Sequence, residues 1–220
     1  MKTRLKVCCI ESVEEAALAT RYGAAAVGLV SEMPSGPGVI DETRIAEIAR
    51  AVPPGVARFL LTSRTDAPGI VGQQRSCRVD TLQLCDRVDA HLHRELRDHL
   101  PGVRIVQVVH VVDAQSLDEA ERAADTADAL LLDSGRPDAA RKELGGTGRT
   151  HDWRLSKRIR EAVPVPVFLA GGIQTSNVAR AIEEVGPYGI DVCSSLRTDG
   201  RLDESKLSAF VAEMDRAGGP

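Results

Sequence analysis

The chain has 220 residues with 28 basic and 32 acidic side chains, a formal net charge of -4 that offers no basic surface for nucleic acid. Hydrophobic residues make up 43% and aromatics only 3%, so the core is built from Val, Ile, Leu and Ala, the mix of buried parallel strands under Ala-rich helices. No apolar run is long enough to span a membrane, no secretory leader precedes the first strand-like run, and an odd set of five cysteines without a C-x-x-C pair argues against a disulfide framework or a zinc site, which together point to a reducing cytoplasm.

From the N-terminus, residues 5–10 read as a strand, and Ser12 caps the next helix, with Glu15 three residues on completing a capping box. Residues 25–30 form a second strand and 41–52 its helix, which Pro53-Pro54-Gly55 ends. Strand 56–61, helix 68–77, strand 81–84 and helix 90–100 follow, the last stopped by Pro101-Gly102. Strand 103–111 is followed by helix 116–126, and strand 129–132 by helix 153–163. Strand 165–169 leads to helix 177–185, and strand 189–192 to the closing helix 204–216. About eight strand–helix units with short connections imply parallel strands joined by right-handed crossovers, and predict an α/β single-domain (β/α)8 TIM barrel over residues 1–220. An open doubly wound sheet is the alternative. It wants a glycine fingerprint after the first strand, where Cys8-Cys9-Ile10-Glu11 offers none.

A barrel keeps its site at the C-terminal ends of its strands. Those ends carry Cys8 and Cys9, Ser31, Thr62 to Arg64, Cys85 and Asp86, His110, Asp133, Gly171 and Gly172, and Cys193 to Ser195. Two glycine stretches stand out, Gly145-Gly146-Thr147-Gly148 after the acidic strand end at Asp133, and Ala170-Gly171-Gly172 at the next strand end. Glycines let backbone N–H groups approach a phosphate closely, and the loops after the seventh and eighth strands are where barrels commonly hold one. Gly145, Gly146, Gly171, Gly172, Ser194 and Ser195 are therefore the candidate phosphate cradle for a phosphorylated small molecule. By strand alternation Cys9 points away from Cys8, toward the helices, and reads as structural. His110 either faces the site or packs beneath it. His91, His93 and His99 lie on a charged helix and read as solvated, Asp152-Trp153 as a helix start, and Asp191 as structural. No exposed apolar repeat announces an interface, which leaves monomer and homodimer open.

Several spaced motifs resemble the phosphoribosylanthranilate isomerase family of tryptophan biosynthesis. That family opens on Lys-x-Cys-Gly-Ile, matched by Lys6-Val7-Cys8-Cys9-Ile10. Its Leu-Leu-Asp-Ser and Gly-Gly-Thr-Gly-x-x-x-Asp-Trp are similar to Leu131-Leu132-Asp133-Ser134 and to Gly145-Gly146-Thr147-Gly148 with Asp152-Trp153. Leu169-Ala170-Gly171-Gly172-Ile173 with Asn177-Val178, and Asp191-Val192-Cys193-Ser194-Ser195-Leu196-Arg197, match its last two motifs. The resemblance covers both ends and the C-terminal half, and is poor from about Ser31 to Val112.

What the resemblance implies is an Amadori rearrangement with Asp133 as acid and Cys8 as base, on a phosphosugar substrate and with no metal or organic cofactor. A thiolate base wants a cation nearby, and Lys6 precedes Cys8 by two residues on the same strand face. The departures are equally specific. The family's carboxylate-binding Arg, in Ser-Pro-Arg-Tyr, is replaced by Pro37 of Ser35-Gly36-Pro37-Gly38. Its Gln-Leu-His-Gly becomes Gln83-Leu84-Cys85-Asp86, the Gly after the catalytic Cys becomes Cys9, and a Gly and a Glu in the last loop become Ser195 and Arg197. Arg64 and Arg87 are the candidates for the missing cation. Failing them, the resemblance implies a different phosphorylated aminoaldose, or a non-catalytic barrel that binds a phosphorylated ligand.

Overall fold

The computed structural model describes residues 2–136, 138, 142–144 and 148–217. Eight parallel strands close in sequence order: β1 (Arg4–Val7), β2 (Ala26–Val30), β3 (Ala57–Thr62), β4 (Thr81–Leu84), β5 (Arg104–His110), β6 (Ala129–Asp133), β7 (Val167–Leu169) and β8 (Gly189–Val192). Each is followed by a helix: α1 (Val13–Arg21), α2 (Glu42–Ala51), α3 (Ala67–Cys77), α4 (Ala90–His99), α5 (Gln115–Ala124), α6 (Trp153–Ala162), α7 (Val178–Val185) and α8 (Glu204–Ala217). The barrel shuts where Leu5 lies opposite Ile190 and Val7 opposite Val192. That pairing of first strand with last is the (β/α)8 topology, and it rules out the open sheet. No helix among the described residues is long and apolar enough to cross a membrane.

Helix starts follow local chemistry. Asp41, Asp66, Asp89 and Asp152 cap α2, α3, α4 and α6 by accepting backbone N–H bonds, and Ser12 caps α1 through the Glu15 N–H. A carboxylate there also meets the positive end of the helix dipole. The box at α1 is skewed. Glu15 reaches back to the N–H of Glu11, one residue before the cap, because its carboxylate also serves Arg197 and Leu202.

Strand alternation divides the apolar residues into two bodies. One face packs on the helices, with Leu5, Val7, Val27, Leu29, Leu60 and Leu130 among helix residues such as Ile45, Ile70 and Phe210. The other fills the barrel, with Ala26, Phe59, Leu61, Val106, Val108, Leu131 and Phe168. Phe59, Phe168 and Tyr188 stack edge to face at 5.8 and 5.3 Å, concentrating half of the six aromatic rings at the barrel's lower end.

Three features depart from the sequence reading. β1 stops at Val7, since Cys9 adopts a left-handed φ of 60° that no strand continues through. A 3-10 turn (Ser194–Leu196) and a small ribbon of β9 (Arg197–Thr198) and β10 (Arg201–Leu202) intervene before α8. The ribbon turns on Asp199-Gly200 with φ of 49° and 79°, the left-handed pair such short hairpins favour. His93 is not solvated: it is 1% exposed, with Nδ1 2.8 Å from Thr126 Oγ1 and Nε2 3.0 Å from Gln107 Oε1. Gln107 lies on the helix-facing side of β5, and a polar group buried there needs a partner. His91 and His99 are exposed as expected.

Lys6 is the largest side chain with no exposed surface, and its ammonium lies inside the barrel 2.8 Å from Asp191 Oδ1. Burial opposes its charge, but Asp191 and the neighbouring Cys8 and Cys85 outweigh that and hold its pKa above the ordinary lysine value. The pair spans β1 and β8 at directly paired register positions, where the barrel closes. Asp191→Asn leaves the ammonium buried without its counter-charge, and should cost about 3–5 kcal/mol in urea unfolding. Lys6→Met with Asp191→Leu should recover most of that loss, because no charge is then left buried.

Candidate active site

The C-terminal ends of the strands surround a cavity of about 100 Å3. Cys8 lines it just beyond β1, and Asp133 lines it at the end of β6. Two strands separate β1 from β6 on one side of the ring and four on the other, so the two groups stand across the mouth from each other.

Cys8 is buried, its backbone N–H bonded to the Val192 carbonyl at 2.8 Å. The neighbouring strand makes room for it: a Cβ on Gly28 of β2 would fall 2.6 Å from the Cys8 sulfur. Asp133 is buried too, and its Oδ1 accepts the Ser134 N–H at 2.7 Å. Burial raises its pKa, against the opposing pull of that N–H and of His110 and Lys6. A carboxyl in this setting holds its proton to higher pH than a solvated one, as an acid must.

Gly171 and Gly172 line the cavity with φ of 77° and 65°. At Gly172 a Cβ would collide with the Arg149–Thr150 peptide at 2.6 Å, so this loop lies directly beneath residues 149–150. Ser194 faces the same cavity, whereas the Ser195 hydroxyl turns away and donates to the Ile173 carbonyl at 2.8 Å, tying the loops after β7 and β8 together. Gly145 and Gly146 lie outside the described residues.

The expected cations are elsewhere. Arg87 points into a different surface depression, ion-paired with Glu119 at 3.1 Å and Asp138 at 2.8 Å. Arg64 is exposed after β3, its side chain beside Gly69 at the start of α3, and does not line the cavity. Pro37 does line it, with Met33, Ser35 and Gly36, and among the described residues no Arg or Lys does. His110 packs beneath the mouth: Nε2 lies 3.0 Å from the Cys85 carbonyl, and a Cβ on Gly135 would touch Nδ1 at 2.4 Å. Segment 142–144 closes over this side, with the Lys142 ammonium on Asp86 and its carbonyl accepting from Ser35 Oγ at 2.8 Å.

Cys9 corrects an expectation. Its left-handed backbone breaks the alternation, so it turns to the cavity beside Cys8 and Cys193 instead of the helices. A hydrogen bond between the free Cys9 and Cys193 thiols pushes Cys9 up and Cys193 down from the ordinary thiol pKa. Asp191, taken as structural, both lines the cavity and neutralises Lys6. Gln83, at an inward position of β4, is a further lining residue that sequence reasoning did not single out, and Cys85, a strand-end candidate, lines the cavity just beyond β4. Among the described residues, no group of three His, Cys, Asp or Glu side chains is placed to hold a metal ion.

A family model described as N-(5'phosphoribosyl)anthranilate (PRA) isomerase matches residues 5–213. The chain belongs to this family. A relative named N-(5'-phosphoribosyl)anthranilate isomerase in Methanocella arvoryzae is 32% identical over 97% of this chain and 98% of its own. One of the same name in Haloferax volcanii is 36% identical over 99% and 95%. The crystal structure of phosphoribosyl anthranilate isomerase from Thermotoga maritima superposes with a TM-score of 0.83 at 25% identity, over 96% of this chain and 98% of that one.

The loop over Gly172 continues into His151, whose Nε2 lies 2.7 Å from Ser156 Oγ and whose pKa burial pushes down to about 4. An unfolded histidine titrates near 6.5, so the stability its neutral form contributes is complete above that pH and is lost as pH falls toward 4. Relative to His151→Gln, the wild-type chain should lose about 2–3 kcal/mol more between pH 7 and pH 4 in denaturant titrations.

Proposed function

We propose that the chain isomerises N-(5'-phosphoribosyl)anthranilate to the corresponding 1-deoxyribulose phosphate by an Amadori rearrangement, as one barrel domain in the cytoplasm. The observation that carries this reading is the pairing of Cys8 and Asp133 across one cavity rimmed by Gly171, Gly172 and Ser194. In this reading the Asp133 carboxyl gives its proton to the furanose oxygen as the C1′–O bond breaks, and the nitrogen lone pair forms a Schiff base. Cys8 then takes the C2′ proton, and the resulting enolamine tautomerises to the ketone. Only protons and the electron pairs of the substrate move, so no redox carrier is required. Lys6, one inward step below Cys8 on β1, gives the Cys8 thiolate that takes this proton a compensating cation. The phosphate meets backbone N–H groups of the loops after β7 and β8, a type of cradle that needs no cation.

Pro37 on the cavity wall, with no described Arg or Lys beside it, favours a second reading in which the same acid and base act on a phosphorylated aminoaldose with a different amine substituent. Turnover of phosphoribosylanthranilate, followed as loss of anthranilate fluorescence, separates the two. On the first reading Cys8→Ala and Asp133→Asn each lower kcat by about 10²-fold or more with unchanged circular dichroism. A folded protein without this turnover overturns the first reading and leaves the second.

A further inference from the structure

Cys9 is one of three non-glycine residues with left-handed backbone among the described residues, and it directly follows the proposed base. The turn it makes is held at both ends by main chain, Cys8 N–H to Val192 and Ile10 N–H to Gly28 at 3.0 Å. The carbonyls in between are held by one side chain. Arg197 donates through Nη2 to the Cys9 oxygen and, at 3.5 Å, to that of Cys8. The guanidinium is itself fixed. Nη1 and Nη2 engage the two Glu15 oxygens at 3.0 and 3.1 Å, Nη1 also donates to Gly200 O at 2.8 Å, and the side chain is 7% exposed. Glu15 in turn accepts the Leu202 and Glu11 N–H groups at 2.9 and 3.0 Å, so α1, the ribbon and the turn after β1 share one ion pair.

We propose that Arg197 is a positioning residue for Cys8: its Glu15-bound guanidinium clamps the Cys8 and Cys9 carbonyls and holds a non-glycine residue in the left-handed turn that aims the Cys8 thiol into the cavity. A left-handed residue with a side chain costs free energy that glycine avoids. The arginine fork meets a carboxylate and a carbonyl together, as a single ammonium does not. Tolerances are narrow on the far side of the turn, since a Cβ on Gly38 would fall 2.4 Å from the Cys9 Cβ. Two departures from the family pattern, Cys9 and Arg197, thus meet in one contact.

The inference rests on the proposed role of Cys8, and its test has a readout that does not. Wild type, Arg197→Gln, Cys9→Gly and the double variant are compared by kcat, by KM, and by the pH-dependent rate at which iodoacetamide alkylates Cys8, resolved from Cys9 by peptide fragmentation. Arg197→Gln should lower kcat about tenfold to a hundredfold, leave KM within about threefold, and change the Cys8 alkylation rate by at least about fivefold. With glycine at position 9 the turn no longer needs its clamp, so the double variant should come within about threefold of Cys9→Gly alone. If Arg197→Gln does not fold, Arg197→Lys takes its place, with a smaller loss and the same rescue. An alkylation rate unchanged by the Arg197 substitution, or a defect equally large with and without Cys9, overturns the clamp. Absence of turnover with the alkylation pattern intact overturns the role of Cys8 in catalysis and not the clamp.

Discussion

Closure of the barrel between β1 and β8 is the constraint on which the remaining structure depends. Once Leu5 is registered against Ile190, a ring of strands has one inside, and alternation assigns each strand residue to it or to the helices. Lys6 and Asp191 then fall on the inside, at neighbouring positions across the seam, where each makes the other tolerable away from water. The same parity carries Cys8, Gln83, Cys85, Asp133 and Cys193 to the upper rim. The candidate site is the top layer of a column whose lower layers are Phe59, Val106 and Phe168.

The fold was legible because both faces of each strand are buried, so runs such as Ala129-Leu130-Leu131-Leu132 stand out between Ala-rich helices with Asp and Ser starts. Asp133 was legible as a site candidate for a related reason, marking the point where such a run ends, and Cys8 through the motif Lys6-Val7-Cys8-Cys9-Ile10. What escaped the sequence depends on partners distant along the chain. His93 looks like any polar residue of α4 until Gln107, on β5, is found facing it. Arg87 looks available until Glu119 and Asp138 are seen to hold it. Cys9 was assigned by extending the alternation of β1 two residues past its end, where a left-handed φ had already reset it. The ribbon signal, Asp199-Gly200, was local and legible but went unread.

Electrostatically the cavity is uneven. Lys6 lies behind the lining, paired with Asp191, and the walls present thiols, two carboxyls, hydroxyls, a carboxamide and backbone. Acid–base chemistry is well served by such walls, since burial raises the Asp133 pKa and the buried ammonium supports negative charge nearby. Recognition of a second anionic group on the substrate, away from the glycine loops, is less well served by the described walls. The two readings of substrate differ over that end of the cavity alone, while the proposed acid, base and phosphate cradle are common to both.

Because the two apolar bodies share strands but no side chains, the barrel separates heritable tasks. Changes among Ile45, Ile70 or Phe210 alter how the helices hold the ring and leave the rim chemistry alone. Changes among Met33, Pro37 or Cys193 rewrite the rim and leave the ring alone. The Lys6–Asp191 seam is the exception: it closes the barrel and, on the proposed mechanism, also supports Cys8, so selection for activity and selection for folding would act there on the same pair of side chains.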